Sequence, residues 1–175
     1  MDNNIDFIKN IINNLNTYTD VDIDMDFSYT PDKIVDKYLD DHVGEDMRNT
    51  EFDISDISDE FFPTFTGEIT STNPELPVLS IAGTSYGDGV DFIVKTDGFE
   101  YSSIDRANKF TKDLDQEDII KLNTFKNYVL SSPLIKDFEK RTNYWLEDVI
   151  DMGEEARDEF LGESLQKIVN YYLKR

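Results

Sequence analysis

Four aspartates alternate with other residues in one short stretch, Asp20, Asp22, Asp24 and Asp26. Carboxylates at this spacing begin an EF-hand calcium loop, which also requires Gly at its sixth position and Glu at its twelfth. Counted from Asp20, those two positions hold Met25 and Pro31, and the register that starts at Asp22 fails in the same way. We therefore predict no metal site here and no bound cofactor.

Other catalytic patterns are equally incomplete. His42 is the only histidine and there is no cysteine, which excludes multi-histidine metal sites and thiolate chemistry. No G-x-S-x-G motif accompanies His42, and the glycine-rich run 83–89 lacks the Gly-Lys-Ser/Thr of a P-loop. The sequence predicts a protein that is not an enzyme. An enzyme that brings His42 together with distant carboxylates is the weakest of the alternatives.

The aspartates lie in a pattern typical of a strand. From Val21 to Tyr29, apolar residues alternate with Asp22, Asp24, Asp26 and Ser28. A period of two over nine residues predicts a half-buried β-strand, with one face on the core and three aspartates on the other. Like charges on one strand face cost stability, so this ladder suggests a surface that binds something positive.

The remaining periodicities predict an α+β fold, in which an antiparallel β-sheet is packed by N-terminal helices and a C-terminal three-helix segment. We expect a single domain over 1–175, with a sub-division into an acidic α/β part, 1–112, and a helical part, 113–175. Asp97-Gly98 predicts a type I′ hairpin turn and Gly153 the end of a helix. Helices are predicted over 2–16, 31–42, 53–62, 113–132 and 133–152 and after Gly153, and strands over 21–29, 64–71, 77–83, 90–96 and 99–104.

Charge is the outlying property of the chain. It carries 38 acids against 17 Lys and Arg, a net charge of −21, and residues 1–62 hold 17 of those acids against 4 bases. Such a surface argues against direct binding to nucleic acid or anionic membranes and favours basic partners. The candidate partner-binding residues are the acids of this N-terminal third: Asp22, Asp24, Asp26, Asp40, Asp41, Asp53, Asp56, Asp59 and Glu60.

A function follows from spacing and charge. Alternate residues of a strand are about 6.5–7 Å apart, similar to the spacing of neighbouring phosphates on a nucleic-acid strand. In composition the chain is similar to phage-encoded DNA-mimic inhibitors such as antirestriction and some anti-CRISPR proteins, a likeness that assigns no residue roles. It implies an inhibitor that occupies the basic channel of a nuclease or CRISPR effector.

Two alternatives remain. An immunity protein or antitoxin would bind one cognate basic toxin, whereas a structural or assembly protein of a phage or bacterium would self-associate with little dependence on the aspartate ladder. A purely solubilising acidic face is the plainest interpretation of all.

The N-terminus lacks the basic and apolar regions of a signal peptide, so we expect a cytoplasmic protein in a bacterial cell.

Overall fold

The computed structural model describes residues 2–41 and 57–173, which form two compact units. The first unit comprises Met1–Asp26 and Pro63–Arg141, and the second comprises Phe27–Phe62 and Thr142–Arg175. The boundary near residue 112 that the sequence suggested falls inside the first unit. The helices are α1 (Asp2–Asn13), α2 (Pro31–Asp41), α3 (Gln116–Leu130) and α4 (Pro133–Leu173), and the strands are β1 (Tyr18–Asp26), β2 (Thr64–Ser71), β3 (Leu79–Ser85), β4 (Val90–Thr96) and β5 (Phe99–Ser102).

The five strands form one antiparallel sheet in sequence order, β1-β2-β3-β4-β5, so the predicted α+β class is confirmed. Successive residues of each strand alternate between the two faces of the sheet, and the inward-facing apolar residues are buried: Phe65, Ile69, Leu79, Ile81, Val90, Phe92, Val94, Phe99 and Tyr101. The outward-facing Ile93 is 41% exposed. On the inner face, the ring centroid of Phe65 lies 4.9 Å from that of Phe138 on α4. The ring centroid of Tyr101 lies 6.4 Å from that of Phe125 on α3. Helices therefore cover one face of the sheet, and the core of this unit lies between them.

Glycine permits a close approach between β1 and β2. Gly67 is paired with Ile23, and a Cβ at Gly67 would overlap the carbonyl oxygen of Asp22 and lie 2.7 Å from the Cα of Ile23. Only a residue without a side chain fits at this point of the ladder. Gly67 therefore allows β2 to pair closely with the strand that carries the aspartates.

The second unit has its own apolar cluster. Trp145 of α4 donates its indole N–H to the Tyr29 carbonyl oxygen (2.8 Å), and its ring lies 5.8 Å from that of Phe62. At the start of α2 the Thr30 carbonyl accepts the N–H groups of Lys33 (3.1 Å) and Ile34 (3.2 Å), as an N-cap residue does. The cluster consists of Ile34, Tyr38, Ile57, Phe62, Trp145, Leu146 and Val149.

Three local predictions were wrong. The C-terminal segment has two helices rather than three, because Gly153 keeps a helical backbone and α4 continues through it. The 97–98 turn is not type I′, since Gly98 has φ 82° but no described non-glycine residue has positive φ. The first strand spans Tyr18–Asp26 rather than 21–29. Of the helix predicted over 53–62, the described part contains only the short 3₁₀ helix Asp59–Phe61.

Candidate acidic interface

The aspartates of β1 lie on the solvent side of the sheet. Asp20, Asp22, Asp24 and Asp26 are exposed, whereas Val21, Ile23 and Met25 between them are half-buried. The predicted alternation of half-buried apolar residues and exposed aspartates is therefore confirmed over residues 21–26. Because a strand holds alternate side chains on one face, these carboxylates form a row with about 6.5–7 Å between successive positions.

The sheet register extends this row across other strands. Asp22 is paired with Glu68 of β2, and the same row continues through Ser80 and Lys95 to Glu100 of β5. The row of Asp26 runs through Thr64 and Thr84 to Asp91 of β4. We call the exposed carboxylates of this side the acidic face: Asp20, Asp22, Asp24, Asp26, Glu68, Asp91 and Glu100.

The acidic face has little internal compensation. Lys95, paired with Glu100, is the one Lys or Arg in the five described strands, against seven carboxylates on the same side. Asp22 and Glu68 stand directly opposite each other, an arrangement of like charges that destabilises an antiparallel pair. The other positions between the acids on this side are mostly Thr, Ser and Ala, which add no charge. Among the described strands, this side of the sheet therefore carries a large excess of negative charge.

Sequence reasoning missed Glu68, Asp91 and Glu100. They lie on strands far from β1 in the chain, and only the pairing register brings them onto one side with the aspartates. A weak signal was available, since Glu68 is in phase with the polar residues Thr64 and Thr66 of its strand.

The other predicted residues belong to the second unit. Asp40 is exposed on α2 and Asp41 is its last residue, while Asp59 and Glu60 are exposed in a 3₁₀ helix. Asp53 and Asp56 lie outside the described residues, as does His42. The structure thus brings together Asp22, Asp24 and Asp26 on one strand, and it places the remaining described candidates in a different compact unit.

The acids of the described chain are not arranged as a metal site. Within residues 2–41 and 57–173, no three His, Asp or Glu side chains are placed to hold a metal ion. Neighbouring carboxylates of one strand point in parallel, whereas calcium requires six to eight oxygens that converge at about 2.3–2.6 Å. No helix in the described part of the chain is long and apolar enough to cross a membrane.

Comparison with known proteins adds no relative. No protein-family model matches the chain, and no curated protein or solved structure is significantly similar to it. The acidic face itself is therefore the basis for any functional argument.

Proposed function

We propose that this protein is an acidic inhibitor that mimics nucleic-acid charge and blocks the basic substrate channel of a DNA- or RNA-binding enzyme. The observation that carries the proposal is the acidic face, on which seven exposed carboxylates share one side of the sheet with a single lysine among the described strands. A cytoplasmic site of action in a bacterial host, and an origin in a phage, are parts of the same proposal.

Fixed charge position supports mimicry over simple solubility. The carboxylates of Asp22, Asp24 and Asp26 stand on a hydrogen-bonded strand, and the aspartate side chain has few rotatable bonds. Their spacing of about 6.5–7 Å is of the order of the phosphate spacing along a nucleic-acid strand. A channel lined with Lys and Arg would gain ion pairs from such a row without large losses of side-chain entropy.

Long-range attraction would add speed to this binding. A surface of one sign raises association rates by steering, and the effect falls steeply as ionic strength rises. The proposal therefore requires salt-sensitive binding that duplex DNA competes away.

The experiment is a pull-down from bacterial lysate with the full chain as bait and with two variants of equal net charge. The ladder variant carries Asp22→Asn, Asp24→Asn and Asp26→Asn. The control variant neutralises three exposed acids outside the acidic face: Glu75→Gln, Asp113→Asn and Glu154→Gln. Circular dichroism verifies that both variants are folded.

We expect the natural chain and the control variant to retain a DNA- or RNA-binding enzyme, and the ladder variant to lose it. Duplex DNA should elute that enzyme, and adding the purified protein should inhibit its nucleic-acid binding. Equal loss in both variants would mean that only net charge matters. Retention that DNA does not reverse would refute mimicry and favour an immunity protein with a dedicated partner.

A further inference from the structure

The strand that carries the aspartates lies at the edge of the sheet. β1 pairs with β2 on one side, and within the described residues no strand pairs with its other side. An edge strand presents backbone N–H and C=O groups that can accept a further strand. At nine residues, β1 is the longest strand of the sheet, whereas β5 at the opposite edge has four.

The inner row of β1 is incompletely buried. Val21, Ile23 and Met25 are only half-buried, although their neighbours on β2, Ile69 and Phe65, are 0% and 1% exposed. On the inner face of a sheet, a side chain is covered partly by those of the adjacent strand. One further strand would therefore complete the burial of this apolar row.

An apolar recess of about 430 Å³ lies at the N-terminal end of the same strand. Its walls come from α1, the following turn, the first residues of β1, and α3, and they include Ile12, Leu15 and Phe125. Two of its side chains are unusually open for apolar residues, since Ile120 is 57% exposed and Tyr128 is 42% exposed. A recess of this size can hold a large apolar side chain of a partner.

The Thr19 carbonyl near the start of β1 accepts the Tyr128 hydroxyl (3.1 Å). We propose that the edge of β1 beyond Thr19 accepts an extended partner segment as a sixth strand, in which Lys or Arg alternates with apolar residues. Strand alternation would set the basic side chains beside Asp22, Asp24 and Asp26, and the apolar ones beside Val21, Ile23 and Met25. A second copy of the chain fits poorly, because pairing β1 with β1 would place aspartates next to aspartates. This inference rests on the proposed function in one respect, namely that the acidic face meets a partner.

Synthetic peptides test the pairing directly. The probe is fluorescein-labelled Lys-Val-Lys-Val-Lys-Val-Lys, and its control is the block isomer Lys-Lys-Lys-Lys-Val-Val-Val, which has the same charge and composition. Binding to the full chain is followed by fluorescence anisotropy at two salt concentrations. We expect the alternating peptide to bind at least about tenfold more tightly than the block isomer, a difference of about 1.4 kcal/mol.

Backbone pairing is tested with two N-methylated forms of the probe. Successive N–H groups of a strand point to opposite edges, so methylating the valine nitrogens and methylating the lysine nitrogens block different edges. Edge pairing predicts that one form loses binding by about tenfold or more and that the other retains it. Equal binding of the block isomer, or the same behaviour of both methylated forms, would overturn the inference.

The outcomes separate this inference from the proposed function. DNA-competed capture of an enzyme, together with peptides that do not discriminate, would leave charge mimicry standing and remove edge pairing. If the peptides discriminate but DNA does not elute the captured enzyme, edge pairing stands and charge mimicry is removed. Sedimentation of the chain alone as a dimer that the alternating peptide does not dissociate would assign the edge to a second copy and overturn the inference.

Discussion

Replacing Glu68 by lysine should stabilise the protein while weakening its binding to a basic partner. Glu68 lies directly opposite Asp22, with Asp20 and Asp24 diagonally adjacent on the same side of the sheet. In E68K the three repulsions become attractions. Because Glu68 is exposed and its neighbours along β2 on this side are threonines, the change creates no cavity and breaks no described ion pair.

The magnitude follows from the register. Side chains directly opposite each other are about 5 Å apart and diagonal ones about 7–8 Å. In water, and with a Debye length of about 8 Å, the direct repulsion is about 0.4 kcal/mol and each diagonal repulsion about 0.2 kcal/mol. Neutralising the carboxylate in E68Q should thus add about 0.8 kcal/mol to the free energy of unfolding. Reversing the charge in E68K doubles this to about 1.6 kcal/mol, or about 3–6 °C in Tm for a chain of this length.

Urea unfolding and thermal melts followed by circular dichroism measure these gains. The matched control is E75K, which makes the same change of net charge at an exposed position between β2 and β3. At 1 M salt the Debye length falls to about 3 Å, so the gain in E68K should shrink to about 0.5 kcal/mol. An E68K variant no more stable than E75K, or a gain unchanged by salt, would refute the cross-strand repulsion between Glu68 and the aspartates of β1.

Three further predictions concern the fold that holds this face. Gly67→Ala should destabilise the protein by more than about 3 kcal/mol, because its methyl group would overlap the Asp22 carbonyl and separate β1 from β2. Asp115→Ala should cost about 1 kcal/mol in urea unfolding, because Asp115 accepts the Asp118 N–H (3.0 Å) as the N-cap of α3. Burial, and then the charge of Asp105, raises the pKa of Tyr101 to about 12, so the neutral phenol is favoured in the folded state. The resulting stabilisation of the folded state is complete below pH 10 and should be lost between pH 10 and 12, which lowers the free energy of unfolding by roughly 2–3 kcal/mol. In Tyr101→Phe this loss should be absent.

Each of these predictions has a control variant. Thr66→Ala, exposed and next to Gly67, should change stability little, and equal losses in the two variants would contradict the steric argument. Asp113→Ala removes an exposed acid just before α3 without removing the cap, so a loss equal to that of Asp115→Ala would contradict capping. Tyr144→Phe changes an exposed phenol; if it flattened the alkaline loss as Tyr101→Phe does, burial would not be its cause.

Local pattern was sufficient for most of the elements. Strands 64–71 and 90–96 were predicted with the bounds that the structure has, because each is rich in β-branched and aromatic residues and is bounded by Pro or Gly residues. The helix predicted over 113–132 is present as α3, which begins where the Asp115 carboxylate accepts the Asp118 N–H. Such features depend on a few neighbouring residues, and the sequence contains all of them.

The wrong predictions share a physical cause, because the environment of a residue in the folded chain competes with the local sequence pattern. Alternation continues past Asp26 to Phe27 and Tyr29, but β1 ends at Asp26 and Tyr29 instead contacts Phe61, with ring centroids 4.8 Å apart. Gly153 could have ended a helix, yet it is buried in one that continues. The contact of Tyr29 with Phe61 and the burial of Gly153 are features of the folded chain, which a window of local residues does not contain.

Only part of the acidic face could be predicted from the sequence. Its β1 part followed from alternation, whereas Glu68, Asp91 and Glu100 required the register between strands. This register makes the functional argument sharper than composition does. Solubility does not require Glu68 opposite Asp22. With a net charge of −21, the chain would stay strongly negative if a base replaced one of these two acids, and the pair would then be more stable. If E68K is more stable and also binds more weakly, then the repulsion between Glu68 and Asp22 lowers stability and is not needed for the fold. The acids would then be explained by the partner that neutralises them.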